Sequence, residues 1–201
     1  MEASALTRFR MLKAKYASML NDALAQNKVD SMLIPFLQKV NALEDYFTAS
    51  SCAGRIILLE TSLDENKKTS KFVFKEHRKV KFREIYEHIK NWYASNKLLW
   101  FKQEPFILHI GAATLENAQK IIAAMRNAGI KRGGIMVAQP GKFIVELLGT
   151  QNLAFLAKSE DFEICEKCLR NQIRIANKKL QKNYSRLKRF EREFLKVARS
   201  G

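Results

Sequence analysis

Proline and glycine are scarce, at 3 and 8 of 201 residues, which excludes a collagen-like or low-complexity chain. With hydrophobic residues at 47%, charge repulsion does not prevent collapse, and the chain is long enough to bury a core. Cysteine is also rare: Cys52, Cys165 and Cys168 form an odd set with two members three apart. That is not the even, spread framework of a disulfide scaffold, so reduced thiols are expected. Long apolar runs are missing. Stretches such as Ile56 to Leu59 are strand-sized, against the roughly 20 residues that span a bilayer, so no membrane passage is expected. The first 20 residues interleave Arg8, Arg10, Lys13 and Lys15 with Leu6, Phe9, Leu12 and Tyr16, unlike a secretory signal, and the expected location is cytoplasmic. Neither G-x-G-x-x-G nor G-x-x-x-x-G-K-[ST] occurs, which excludes a dinucleotide fingerprint and a nucleotide-hydrolase loop. A single C-x-x-C pair with His77, His88 and His109 scattered does not assemble a four-ligand zinc site, and no metal is expected.

Acidic residues are the other shortage, 20 against 36 lysines and arginines, for a formal charge of +16. A polyanion is the expected partner. The excess is uneven. Residues 1–60 hold 7 basic and 6 acidic groups, whereas residues 160–201 hold 12 and 6. From Lys167 to Phe190 there are nine basic residues and no acid, and Arg170, Arg174, Lys178, Lys182 and Arg186 recur every fourth position. On a helix this spacing predicts one cationic ridge suited to RNA phosphates, with Cys165, Leu169, Ile173, Ala176, Leu180, Tyr184, Leu187, Phe194 and Ala198 on the docked face.

Periodicity predicts amphipathic helices near residues 5–25 and 30–46, the second capped by Asp30 or Ser31. A polar loop over residues 48–54 leads to strands at 55–60 and 71–75, then a helix over 81–95 that sets Phe82, Ile85, Tyr86, Ile89 and Tyr93 on one side. Strands near 98–101 and 105–110 precede a helix capped by Thr114 and closed by Gly129. Strands at 135–138 and 143–148 flank a Pro140-Gly141 turn, and the long basic C-terminal helix begins near Ser159. The expected fold is α/β: a mixed β-sheet with hairpins, flanked by helices. No linker separates domains, so one domain over residues 1–201 is expected.

The run Thr48-Ala49-Ser50-Ser51-Cys52-Ala53-Gly54-Arg55 concentrates hydroxyls, small residues and a guanidinium just before a strand. Small residues admit backbone N–H groups to a ligand, and Arg55 suits a carboxylate or phosphate. A structural loop with Arg55 paired to a surface acid is the competing reading. His109 lies among apolar neighbours on its strand, where a satisfied core histidine competes with a functional one.

Residues 46–56, with Tyr46-Phe47 before that run and Ile56 after it, resemble the signature of the tRNA wybutosine-synthesizing protein 3 family. Trp100-Phe101-Lys102-Gln103-Glu104-Pro105-Phe106-Ile107-Leu108-His109 resembles the family's second motif, and Gly129-Ile130-Lys131-Arg132-Gly133-Gly134-Ile135 its third. Val145-Glu146-Leu147-Leu148-Gly149-Thr150 resembles the strand after it, and the C-terminal helix with Ala176-Asn177-Lys178-Lys179 is also similar. The family often has serine where Gly133 and Gly149 stand, and an aromatic residue where Glu76 precedes His77.

The resemblance implies a methyltransferase that uses S-adenosylmethionine to methylate a ring nitrogen of a demethylwyosine-type base at position 37 of tRNA(Phe). The partner is that tRNA, and no obligate protein partner is implied. Ser51, Arg55 and His109 are the implied catalytic-pocket residues. Ser50, Cys52, Gly54, Lys131 and Arg132 are the implied cofactor contacts, and Arg170, Arg174, Lys178, Lys182 and Arg186 the RNA contacts. Glu146 is placed to orient Arg132 or the base, or is an edge carboxylate. In-line methyl transfer demands alignment above all, and little acid or base power is expected of the protein. A noncatalytic RNA-binding module is the rival reading.

Overall fold

The computed structural model describes residues 2–93 and 95–199. Along the chain come α1 (Glu2–Ala25), α2 (Ile34–Ala42), β1 (Tyr46–Cys52), β2 (Arg55–Ser62), β3 (Lys71–Glu76) and α3 (Phe82–Asn91). They are followed by β4 (Lys97–Glu104), β5 (Ile107–Ala112), α4 (Leu115–Asn127), β6 (Arg132–Gln139), β7 (Lys142–Leu148), β8 (Leu153–Lys158) and α5 (Glu166–Arg199). The chain divides into two compact units: Met1–Ala53, Phe106–Thr150 and Tyr184–Gly201 in the first, Gly54–Pro105 and Gln151–Asn183 in the second. The α/β expectation holds, hairpins and long C-terminal helix included. Its strands form two four-stranded sheets, and the pairings within both are antiparallel.

The first unit's sheet has the order β1-β5-β7-β6. Period-two alternation sends Leu108, Ile110 and Ala112 of β5 and Val145 and Leu147 of β7 to one face. There they join Phe36, Leu37 and Val40 of α2, Ile121 and Met125 of α4, and Leu187, Phe190 and Phe194 of α5. Full burial of each of these side chains other than Ala112 contributes roughly 1.5–3 kcal/mol. The other face carries Phe47, stacked on Tyr16 of α1 at 4.9 Å and tilted against Phe9 at 5.6 Å. Gly111 lies under that ring, where a Cβ would come within 2.1 Å of it.

Helix α4 starts and stops as its sequence predicts. The Thr114 side chain accepts from the Asn117 N–H at 3.1 Å. At the other end Gly129 has a φ of +75°, with Gly129 N–H bonded to the Arg126 carbonyl and Ile130 N–H to that of Met125, the Schellman pattern. The Pro140-Gly141 turn joins β6 to β7, and Arg8 of α1 donates to the Gln139 side chain and the Pro140 carbonyl.

The second unit's sheet has the order β3-β2-β4-β8. Strand β8, which its short flanked pattern did not reveal, pairs with β4 and stacks Phe155 on Phe101 at 4.8 Å. It displaces the start of α5: residues 159–165 turn back, with Ile164 N–H on the Ala157 carbonyl and Lys158 paired to Glu163 at 2.8 Å, so the helix begins at Glu166 rather than near Ser159. Cys165 therefore precedes the helix, and both it and Cys168 are exposed instead of docked on its apolar face. Asn177 of α5 donates to the Val80 carbonyl and accepts from the Val80 N–H, at 2.9 and 3.0 Å. Helix α3 is shorter than expected: it ends at Asn91, Trp92 is buried with its indole N–H on Glu60, and Tyr93 is 84% exposed.

Candidate active site

The serine run is strand, not loop. Residues 48–52 belong to β1, and its pairing with β5 steps from Thr48 opposite Ile110 to Ser51 opposite Leu108. Ala49 and Ser50 therefore share His109 as their counterpart, which is a β-bulge. The extra residue resolves a conflict of alternation: Ala49 packs with the Phe47 cluster beneath α1, while Ser50 is exposed and meets the histidine. Ser50 Oγ lies 2.5 Å from His109 Nδ1, and His109 Nε2 lies 3.1 Å from Glu146 Oε2. His109 and Glu146 are registered partners on β5 and β7, each with 23% of its side chain exposed. Glu146 thus orients His109 rather than Arg132.

Asp30 does not cap α2. Leu33 takes the cap position with no side-chain bond, and the Asp30 carboxylate accepts the Ala53 N–H at 2.6 Å, tying down the end of the serine run. Cys52 is half-buried there, opposite Ile107. Burial, followed by the charges of Asp30 and Cys52, pushes the Tyr184 phenol well above its ordinary range. Gly54, buried and at a φ of +91°, takes the left-handed turn conformation that only glycine adopts freely.

Arg55 belongs to the second unit. Its Nε bonds Glu104 Oε2 at 2.6 Å, and its guanidinium lies 5.0 Å from the centre of the Phe72 ring, so the pairing with an acid that the sequence left open is present.

Lys131 lines a cavity of about 420 Å³ in the first unit, with Ile122, Met125 and Ile130 as apolar wall and Arg126 as a second cation. Arg132, the first residue of β6, is exposed beside it in sequence. This size lies in the range of small-molecule sites, and the donor set suits a ligand with an apolar body and a carboxylate. Of the groups of adenosylmethionine, the carboxylate suits Lys131 and Arg126, and the face of the adenine ring suits the apolar wall.

The cationic ridge is four residues long, not five. A step of four residues turns the helix by about 400°, so the row drifts by about 40° each time. Arg170, Arg174, Lys178 and Lys182 are exposed, whereas Arg186 has rotated to a half-buried place and donates to Thr150 Oγ1 at 2.5 Å. In the second unit Arg170, Arg174, Lys178 and Lys182 line a groove of about 550 Å³ with Lys79, over a floor of Val80, Phe82 and Ile173. No acidic side chain lines it among the described residues. The guanidinium of Arg170 stacks 3.6 Å from the Phe82 ring centre. Lys79 and Phe82 were not legible as part of this surface, because their spacing marked only a helix start and its apolar stripe.

Comparison with known proteins places this architecture among methyltransferases. A Pyrococcus horikoshii protein named tRNA(Phe) 7-((3-amino-3-carboxypropyl)-4-demethylwyosine(37)-N(4))-methyltransferase 1 is 35% identical over 184 residues, covering 91% of this chain and 93% of that one. A Xenopus laevis tRNA wybutosine-synthesizing protein 3 homolog is 30% identical, over 84% of this chain and 68% of its own. A solved structure of a Pyrococcus horikoshii protein matches with a TM-score of 0.87 at 34% identity, over 94% of this chain and 97% of that one. The family model described as Methyltransferase TYW3 matches residues 9–196, and the chain belongs to that family.

Proposed function

We propose that the chain transfers a methyl group from S-adenosylmethionine to a ring nitrogen, N4, of a 4-demethylwyosine-type base at position 37 of tRNA(Phe). The observation that carries this reading is family membership across residues 9–196, with a relative named for that reaction matched over nearly its whole length. When bound, adenosylmethionine supplies an electrophilic methyl group on a sulfonium. Lys131 and Arg132 hold its carboxylate in this reading, beside the apolar wall of Met125 and Ile122. Ser51, Cys52 and Gly54 offer backbone and hydroxyl contacts to cofactor or base, and Arg55, preset by Glu104, supplies a guanidinium. His109 belongs to the catalytic pocket. Arg170, Arg174, Lys178 and Lys182 contact phosphates, which fixes the register of the tRNA while the pocket reads the base.

Radiolabelled methyl transfer to tRNA carrying the precursor tests the reading. Label incorporated into that tRNA, and not into tRNA lacking the precursor, is the expected result. Salt-sensitive RNA affinity with no label, and no heat on titration with adenosylmethionine alone, would identify a noncatalytic RNA binder instead.

A further inference from the structure

We propose that Ser50, His109 and Glu146 form a relay that removes a proton from the substrate nitrogen as it is methylated. This deepens the function proposed above and rests on it. A ring nitrogen that gains a methyl group in place of hydrogen must lose a proton. The N–H bond breaks as the N–CH3 bond forms, the S–C bonding pair of the sulfonium stays on sulfur to leave a thioether, and one proton is left over. Alignment alone does not dispose of it, so the expectation that little base is needed is revised.

The geometry fixes the direction of the relay. An ionised carboxylate accepts hydrogen bonds and cannot donate them, so the Glu146 contact at 3.1 Å puts the ring proton on His109 Nε2. The Nδ1 lone pair then faces Ser50 Oγ at 2.5 Å, and the serine hydroxyl donates to it. When Ser50 takes the substrate proton, its own moves to Nδ1. The resulting imidazolium rests against Glu146, and later releases the proton to water. Ser50 is the contacting group, His109 the acceptor and Glu146 the positioning residue. The same division of labour operates in serine-histidine-carboxylate triads, although no covalent intermediate is needed here.

The surroundings support a working relay over a merely satisfied histidine. The hydrogen-bonded row crosses three strands and ends at an exposed hydroxyl, which exists in that position because of the bulge. Opposite Glu146 on β6 stands Gly134, with nothing within 4 Å of where a Cβ would lie. Helix α1 brings Phe9, Leu12 and Tyr16 to the neighbouring cluster on Phe47 and Ile144, all of them without formal charge, and the charged partner of the ring is Glu146.

Two measurements test the relay, one of them independent of turnover. Nitrogen NMR of the free protein, with the three histidines assigned by single variants, is expected to show His109 as the Nε2–H tautomer. Glu146→Gln, whose amide can donate to the ring as well as accept from it, is expected to raise the share of the Nδ1–H tautomer. A dominant Nδ1–H tautomer in the wild type, or a tautomer ratio indifferent to Glu146→Gln, overturns the proposal. In single-turnover methyl transfer, His109→Ala is expected to be slower by about 10²-fold or more. Dissociation constants for adenosylmethionine and tRNA are expected to stay within a factor of three, and added imidazole to restore part of the rate. A His109→Ala rate within threefold of wild type, or a loss that imidazole does not touch, overturns it. Wild-type protein that transfers no methyl group sinks the functional reading, whereas wild-type transfer indifferent to His109 sinks only the relay.

Discussion

A Cβ on Gly133 would lie 2.1 Å from the carbonyl oxygen of Glu146. The two strands meet there backbone to backbone, and Gly133 holds a φ of +116° to do so. The close approach explains why glycine stands at this position: in this backbone a side chain has neither the space nor a comfortable conformation.

Gly133→Ala is accordingly expected to cost about 2 kcal/mol or more, from strain at positive φ added to the clash. Gly134→Ala, one residue on, has open space and no positive φ, and its stability is expected to stay within about 0.5 kcal/mol of wild type. Urea unfolding of both variants checks the contrast; equal losses would mean that β6 and β7 do not approach as described.

The drift of the basic row separates two arginines that look equivalent in sequence. Arg174→Ala is expected to weaken tRNA binding and to reduce the slope of log affinity against log salt by about 1, the signature of one lost phosphate contact. Arg186→Ala, whose guanidinium is engaged with Thr150, is expected to change that slope by less than half as much and to lower thermal stability instead. Fluorescence anisotropy across a salt series distinguishes them, and identical slopes for the two variants would restore the five-residue ridge.

At the start of α3, Arg78 and the Lys81 N–H hold the Glu84 carboxyl at about 2, below its ordinary 4.5. Arg78 Nη2 lies 2.6 Å from Glu84 Oε1, and the Lys81 N–H bonds the other oxygen at 2.6 Å. A carboxyl depressed in the folded state contributes stability that is present above the unfolded value, near 4.5, and lost as pH falls towards 2. Glu84→Gln is expected to lower the melting temperature at pH 7 and to match wild type near pH 2. Because the side chain is 30% exposed, the effect is expected to be on the order of 1 kcal/mol or less. A deficit that persists at pH 2 would point to packing instead.

What the sequence determined by itself is what local chemistry decides. The Thr114 cap, the Gly129 stop and the Pro140-Gly141 turn each close within a few residues, so their side chains and φ angles suffice to announce them. The alternating core of β5 and β7 and the docked stripe of α5 follow from period alone. The tertiary structure decided the rest. Ser50 and His109 are 59 residues apart, and His109 and Glu146 are 37 apart; no local rule makes them neighbours, and the bulge that does so depends on which strand β1 pairs with. Strand β8 exists because β4 offers it an edge, and the loss of Arg186 from the ridge follows from helical drift together with the place of Thr150. Local signals fixed the ends of α4 and the β6–β7 turn but not those of α2, α3 and α5, while register, which is settled only when strands pair, fixes which side chains can exchange a proton.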